Sequence, residues 1–365
     1  MTLIGAAAMV VDGRVCWPGW LQTSGGRIAD CGPGTPPEPA DLDLPDAVVV
    51  PGFVDMHVHG GGGASYTDAS SMQITGAAAF HRRHGTTSTL ASLVTAAPAA
   101  LLDAVRMLAE STRQGGVAGI HLEGPWLSPR YCRAHDHQQL RDPDAGEIDA
   151  LLAAGDGAIR MVTLAPELHG GIDAIGRFVD AGVVVAVGHT DAGYEQTRRA
   201  IGAGATVGTH LFNAMRPLQH REPGPALALM EDPRVTVELI ADGVHVHPAL
   251  IRRVVDVAGP QRVALITDAT AAAGSGDGPF RLGGLDVDVV SGVARVRGTS
   301  TIAGSTATMD RLFRAVAGFG RDPDTALTAA VQMTSTTPAR VLGLDDVGSL
   351  RSGRAADLVV LNQDL

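Results

Sequence analysis

The chain has 365 residues, 45% of them hydrophobic, and a formal net charge of −11. That length exceeds one ordinary domain and predicts one large domain carrying a smaller satellite, while the acidic balance, with no basic stripe to offset it, argues against nucleic acid as a partner. All 28 basic residues are arginines, which excludes Schiff-base catalysis on a lysine and a metal bridge made from a carboxylated lysine.

The N-terminal run MTLIGAAAMVVDGRV lacks a basic flank and reads as a first strand rather than a signal peptide, and no apolar run reaches membrane-spanning length. Residues 1–50 alternate short apolar runs with Gly and Pro clusters, the pattern of strands and turns. From Pro51 the texture changes to β-branched runs alternating with helical stretches. Strands are expected at 53–60, 86–92, 117–124, 159–167, 183–190, 206–213, 235–246 and 263–270, with helices such as 99–112 and 249–259 between them. Eight such units predict an α/β fold, a (β/α)8 TIM-like barrel over 51–342. A β-hairpin insertion is expected at about 279–298, helices at 305–342, and a last strand within 348–361. Residues 1–50 and 343–365 should together form a small β domain. Cys16, Cys31 and Cys132 are odd in number and lack CxxC spacing, which predicts neither a disulfide framework nor a thiolate metal site, and a cytoplasmic location.

Polar residues interrupt these apolar strands at one end. His57 and His59 end the first strand, Glu123 the third, His189 the fifth, His210 the sixth and Asp268 the eighth; His245 follows the seventh. A parallel barrel gathers such positions at its C-terminal mouth, and residues two apart on a strand share a face, so His57 and His59 can grip one ion. Imidazole and carboxylate ligands predict a divalent metal, one or two per chain, zinc first with iron or manganese as alternatives. An ion of this kind brings the pKa of its water toward about 7, and Asp268 can carry the proton to a leaving group. Among the remaining histidines, His81 and His84 read as solvated surface residues and His169 as part of a turn. His121 shares Glu123's face and belongs beneath the site or in the core, and His247, beside Pro248, starts a helix. The glycine run 60–63 reads as flexibility beside the metal site. Arg221 is equally a phosphate ligand or one half of a surface ion pair with Glu222 or a neighbour.

The stretches PGFVDMHVHG, HLEGPWLSP, VGHTDA, THLFNAM, REPG, ADGVHV, ITDAT and AGS occur in this order along nearly the whole chain. In them the sequence resembles the amidohydrolase superfamily, and within it the N-acetylglucosamine-6-phosphate deacetylases. The resemblance implies a barrel flanked by a small β-sandwich and a reaction that releases acetate and glucosamine 6-phosphate, in amino-sugar catabolism and cell-wall recycling. It implies that Glu123, His189 and His210 bind the main metal and that Asp268 is the general base and acid. It makes His135 and His245 substrate contacts, together with the backbone of Asn213, Ala214, Ile302, Ala303 and Gly304. It gives Arg221 to the phosphate of a neighbouring subunit's substrate, hence a homodimer. With both His57 and His59 present, a second metal position looks competent. Cys132 falls in a loop near the site, where a gating or redox role stands beside an ordinary loop thiol. Members usually continue into one more strand beyond the position of Leu365, so a further strand is expected on the small β domain. Two other readings remain: a different amidohydrolase acting on a cyclic amide, and a non-catalytic scaffold of the same fold.

Overall fold

The computed structural model describes residues 1–320 and 322–362; residues 363–365, the end of the expected small β domain, lie outside the described residues. Eight parallel strands follow one another in chain order: Phe53–Asp55, Thr86–Leu93, Gly119–Glu123, Ile159–Leu164, Val184–Val187, Val207–Gly208, Thr236–Leu239 and Val263–Leu265. Seven fall within the expected runs and the second passes its run by one residue, Leu93; each is followed by a helix, from Ser71–Arg83 to Met309–Ala317. Helix starts carry the expected chemistry. The Ser70 side chain accepts from the Gln73 amide and Asp144 from that of Glu147, which satisfies donors the first turn leaves free. His247 caps Pro248–Ala258 by accepting from the Ala249 amide, so it is indeed a helix start.

Several strands are shorter than their apolar runs, for a local reason. The backbone turns left-handed at His189 (φ 48°), His210 (φ 26°) and Asp268 (φ 48°), just past the last paired residue of each strand. Non-glycine residues are costly there, a strain that concentrates at functional sites. No ladder joins the eighth strand to the first among the described residues. The seam is closed instead by single bonds at the mouth. The Asp268 amide donates to the His57 carbonyl (2.9 Å), and the amides of His59 and Gly60 donate to that of Ala269 (2.8 and 3.0 Å). Below them the buried Asp55 carboxylate accepts from the Thr267 hydroxyl and from the amides of Thr267 and His57.

Both chain ends build one six-stranded mixed sheet. Leu358–Asn362 lies against Leu42–Pro51, which pairs in parallel with Thr2–Val11. The insertion is a three-stranded antiparallel sheet, Gly278–Leu282, Leu285–Val290 and Val293–Val296, one strand more than a hairpin.

Two of the sequence expectations need correction. His81 is fully buried, not solvated: its Nε2 donates to the Gly60 carbonyl at 2.8 Å, and burial lowers its pKa to about 4. The glycine run is close-packed rather than loose, since a Cβ on Gly61 would come within 2.4 Å of the Phe80 ring. His84 is half-buried and pairs with Asp310 at 3.3 Å.

Candidate active site

Glu123 ends the third strand and stands at the centre of the mouth. Its Oε1 lies 3.3 Å from His57 Nε2, 3.0 Å from His189 Nε2 and 3.1 Å from His210 Nε2. Its Oε2 lies 3.2 Å from His59 Nε2 and 3.3 Å from His135 Nε2. Asp268 Oδ1 approaches His59 Nε2 at 3.2 Å and His57 Nε2 at 3.6 Å. All six sequence-predicted ligands are therefore in one buried cluster, and two trios have ligand spacing: His57, His59 and Glu123, and Glu123, His189 and His210.

The donor set fits divalent cations. Within each trio the imidazole Nε2 atoms face each other, at 3.3 Å for His57 and His59 and 3.0 Å for His189 and His210. Lone pairs that converge so closely need a proton or a cation among them. In the first trio burial alone would depress the His57 and His59 imidazoles, yet Glu123 and Glu238 raise the first and Asp268 and Glu123 raise the second to about 9. Burial would likewise push the carboxyls up, but the charges of His57, His135 and His189 hold Glu123 well below the usual range, and His59 and His57 hold Asp268 at about 2. His189 is lowered by burial to about 4, which leaves its Nε2 free to ligate at neutral pH.

The far edges of the rings are also placed. Nδ1 of His59 meets the Ser92 carbonyl (3.2 Å) and Nδ1 of His189 the Tyr131 carbonyl (2.9 Å), contacts that aim the metal-facing nitrogens. His121 lies beneath the cluster, between Ser92 Oγ (2.9 Å) and Thr163 Oγ1 (2.8 Å), with its ring edge-on to His57. It supports the ligands and does not join them.

Above the cluster opens a cavity of about 340 Å³. Six of the eight residues expected to contact substrate line it: His135, Asn213, Ala214, His245, Ile302 and Gly304. His135 Nδ1 is fixed by the Thr95 hydroxyl at 2.9 Å and His245 Nδ1 by Asp242 at 2.7 Å. Ala303 is buried behind the wall, among the apolar side chains of the insertion. Arg221 is exposed and does not line the cavity of its own chain. The Arg221–Glu222 ion pair weighed from sequence does not form either, for Glu222 pairs with Arg216 at 3.1 Å. Cys132 is buried, its Sγ 3.0 Å from His137 Nε2, and burial pushes its thiol pKa up.

Sequence reasoning missed three residues. Glu238 lies fully buried behind His57, and Asp55 staples the seam, its carboxyl raised by burial to about 7. Arg133 supplies the one fixed positive charge among the cavity's lining residues, on a left-handed backbone (φ 53°) with its guanidinium stacked over Tyr131. A lone Glu inside the apolar run VTVELI was a signal of the same kind as the strand-end histidines.

Comparison with known proteins agrees with this geometry. The amidohydrolase family matches residues 48–365. An N-acetylgalactosamine-6-phosphate deacetylase of Escherichia coli O157:H7 is 38% identical over 95% of this chain and 93% of its own. The N-acetylglucosamine-6-phosphate deacetylase of Bacillus subtilis is 34% identical over 99% of this chain and 93% of its own. The solved structure of the Mycobacterium smegmatis N-acetyl-D-glucosamine-6-phosphate deacetylase, an aspartate-to-alanine variant in complex with N-acetyl-D-glucosamine-6-phosphate, superposes with a TM-score of 0.98 at 55% identity, covering 100% of this chain and 95% of the other. The chain belongs to the amidohydrolase family and, within it, to the group of amino-sugar 6-phosphate deacetylases.

Proposed function

We propose that this chain is a metal-dependent hydrolase that removes the acetyl group from N-acetylglucosamine 6-phosphate, giving glucosamine 6-phosphate and acetate. The observation that carries the reading is the convergence of four imidazoles and Asp268 around Glu123 at the floor of one cavity. His57, His59 and Glu123 would hold one divalent ion and Glu123, His189 and His210 another, zinc being the first choice for such a donor set and iron or manganese the others. A divalent ion there supplies Lewis acidity toward the amide carbonyl and acidifies water.

The chain's own residues do the rest. Asp268, held ionised, accepts the proton of the attacking water and delivers it to the amide nitrogen, because an amine leaves poorly until it is protonated. His135, 3.3 Å from Glu123, stands where the acetamide would lie, and His245, steadied by Asp242, where the sugar would lie. The exposed Arg221, without an ion pair among the described residues, is free to reach a phosphate in a neighbouring subunit, which makes a homodimer the active unit. No helix among the described residues is long and apolar enough to cross a membrane.

The galactose-configured sugar is a second reading, because of the Escherichia coli relative. The glucose configuration is preferred, since the solved structure with that sugar is the more similar, at 55% against 38% identity. Acetate release from the two N-acetylated 6-phosphates and from their unphosphorylated forms, before and after chelation, is the test. The glucose-configured phosphate should be turned over fastest and chelation should abolish activity. Turnover of a cyclic amide instead, or of nothing, would favour the other amidohydrolase reading or the scaffold.

A further inference from the structure

The mechanism above leaves one buried carboxylate unused. Glu238, in the seventh barrel strand, is fully buried and does not line the cavity. Its Oε2 accepts from two donors that belong to different ligand trios: Nδ1–H of His57 at 3.1 Å and the backbone N–H of His210 at 3.1 Å. Its Oε1 has no hydrogen-bond partner among the described residues. A buried carboxylate is an expensive core filler, and an apolar side chain of similar size would cost less. Its retention therefore calls for a task.

Ligation and proton transfer are excluded by position. The His57 ring stands between Glu238 on its Nδ1 side and Glu123 on its Nε2 side, so Glu238 is behind the ligand and away from any ion. With no exposed surface it meets no substrate or water in the cavity. The other imidazoles show what remains. His59 and His189 rest their Nδ1 atoms on neutral backbone carbonyls, and His210 Nδ1 rests on nothing. His57 alone of the four rests on a carboxylate. Such a partner fixes the Nδ1–H tautomer, points the Nε2 lone pair at the ion and makes it more basic.

We infer that Glu238 is a positioning residue that makes the His57–His59–Glu123 trio hold its ion through the charge it places on His57, while it holds the His210 strand end only through an uncharged hydrogen bond. The inference rests on the metal-dependent reading of the site. It assigns unequal consequences to one substitution. Glu238→Gln keeps a carbonyl oxygen for both donors and removes the charge, so only the first trio should suffer.

Zn²⁺ titrated into the chelator-stripped, full-length chain against a chromophoric competitor tests this. His189→Ala leaves the first trio intact and His59→Ala the second, so Glu238→Gln is introduced into each. The expected result is a Zn²⁺ affinity about 10–100-fold lower in the His189→Ala background. In the His59→Ala background the change should stay under about threefold, and the melting temperature of the metal-free chain should not fall. Equal losses in both backgrounds, or none in the first, would overturn the inference. So would a His189→Ala chain that binds no Zn²⁺ while Glu238 is native, because the trio that Glu238 serves would then not bind. The deacetylase reading is judged separately, by acetate release from the unaltered chain, and none of these outcomes touches it.

Discussion

The buried metal-ligand cluster and Arg221, the residue proposed to bind phosphate, are built in opposite ways. At the metal end every donor sits at or just past the end of a barrel strand, is buried, and has its spacing set by the parallel register. Arg221, by contrast, projects from the segment between Met215 and Gly224, exposed and without an ion pair among the described residues. The contrast teaches where one chain's fold suffices. Chemistry on the amide needs fixed geometry, which strands supply. The phosphate role proposed for Arg221 asks only for an accessible guanidinium with its forked donors free.

Three changes would sharpen or break this contrast. Asp268→Asn should have the largest effect: shape and surrounding hydrogen bonds survive, but no proton can be carried, so kcat should fall about 10²–10⁴-fold. Substrate affinity and metal content should stay near those of the parent. If the variant is metal-depleted and excess metal restores the rate, Asp268 is a ligand and not a proton carrier. Arg221→Ala should leave kcat almost intact and raise KM about 10–100-fold, the loss of a charge-assisted contact. Hybrid dimers of Arg221→Ala and Asp268→Asn chains should regain activity, because one site per dimer then has both groups. No gain at substrate levels well below the raised KM, after demonstrated subunit exchange, would mean that the two groups are not shared between chains.

The smallest effect concerns His81, which anchors the glycine floor beside the metal end. Its folded-state pKa is lowered by burial to about 4, from the 6.5 usual for a free imidazole. The unfolded chain therefore binds this proton first, and stability present above pH 6.5 is lost as pH falls toward about 4. His81→Gln, whose amide can still donate to the Gly60 carbonyl, should flatten the stability profile in that window by up to about 1.4 kcal/mol per pH unit. Parallel urea-unfolding profiles for the two proteins would show that the buried imidazole is not responsible.

The legibility of the sequence follows the same division. The ligands could be read because each breaks an apolar run at the same end of a βα unit, and barrel geometry converts that position into a place. Strand lengths could not, because the left-handed turns at His189, His210 and Asp268 cut the ladders short, and apolar periodicity does not register backbone handedness. His81 looked like surface, for the glycines it packs on are twenty residues away and only the fold brings them under it. Glu238 had a signal but was outweighed by His245 farther along the same segment. Arg221 could be noticed and not placed, since its proposed partner is another chain.

The seam between the eighth and first strands is the barrel's clasp, and residues of the candidate site are its fastening. Asp268, His57 and His59 carry both the seam's hydrogen bonds and the side chains that converge on the ion position. An ion held by these side chains would also bind the two sides of the seam together, and its binding free energy would add to the resistance of the barrel to opening. Scarcity of metal would then remove molecules from the folded population along with their activity, leaving no large reserve of intact, idle enzyme.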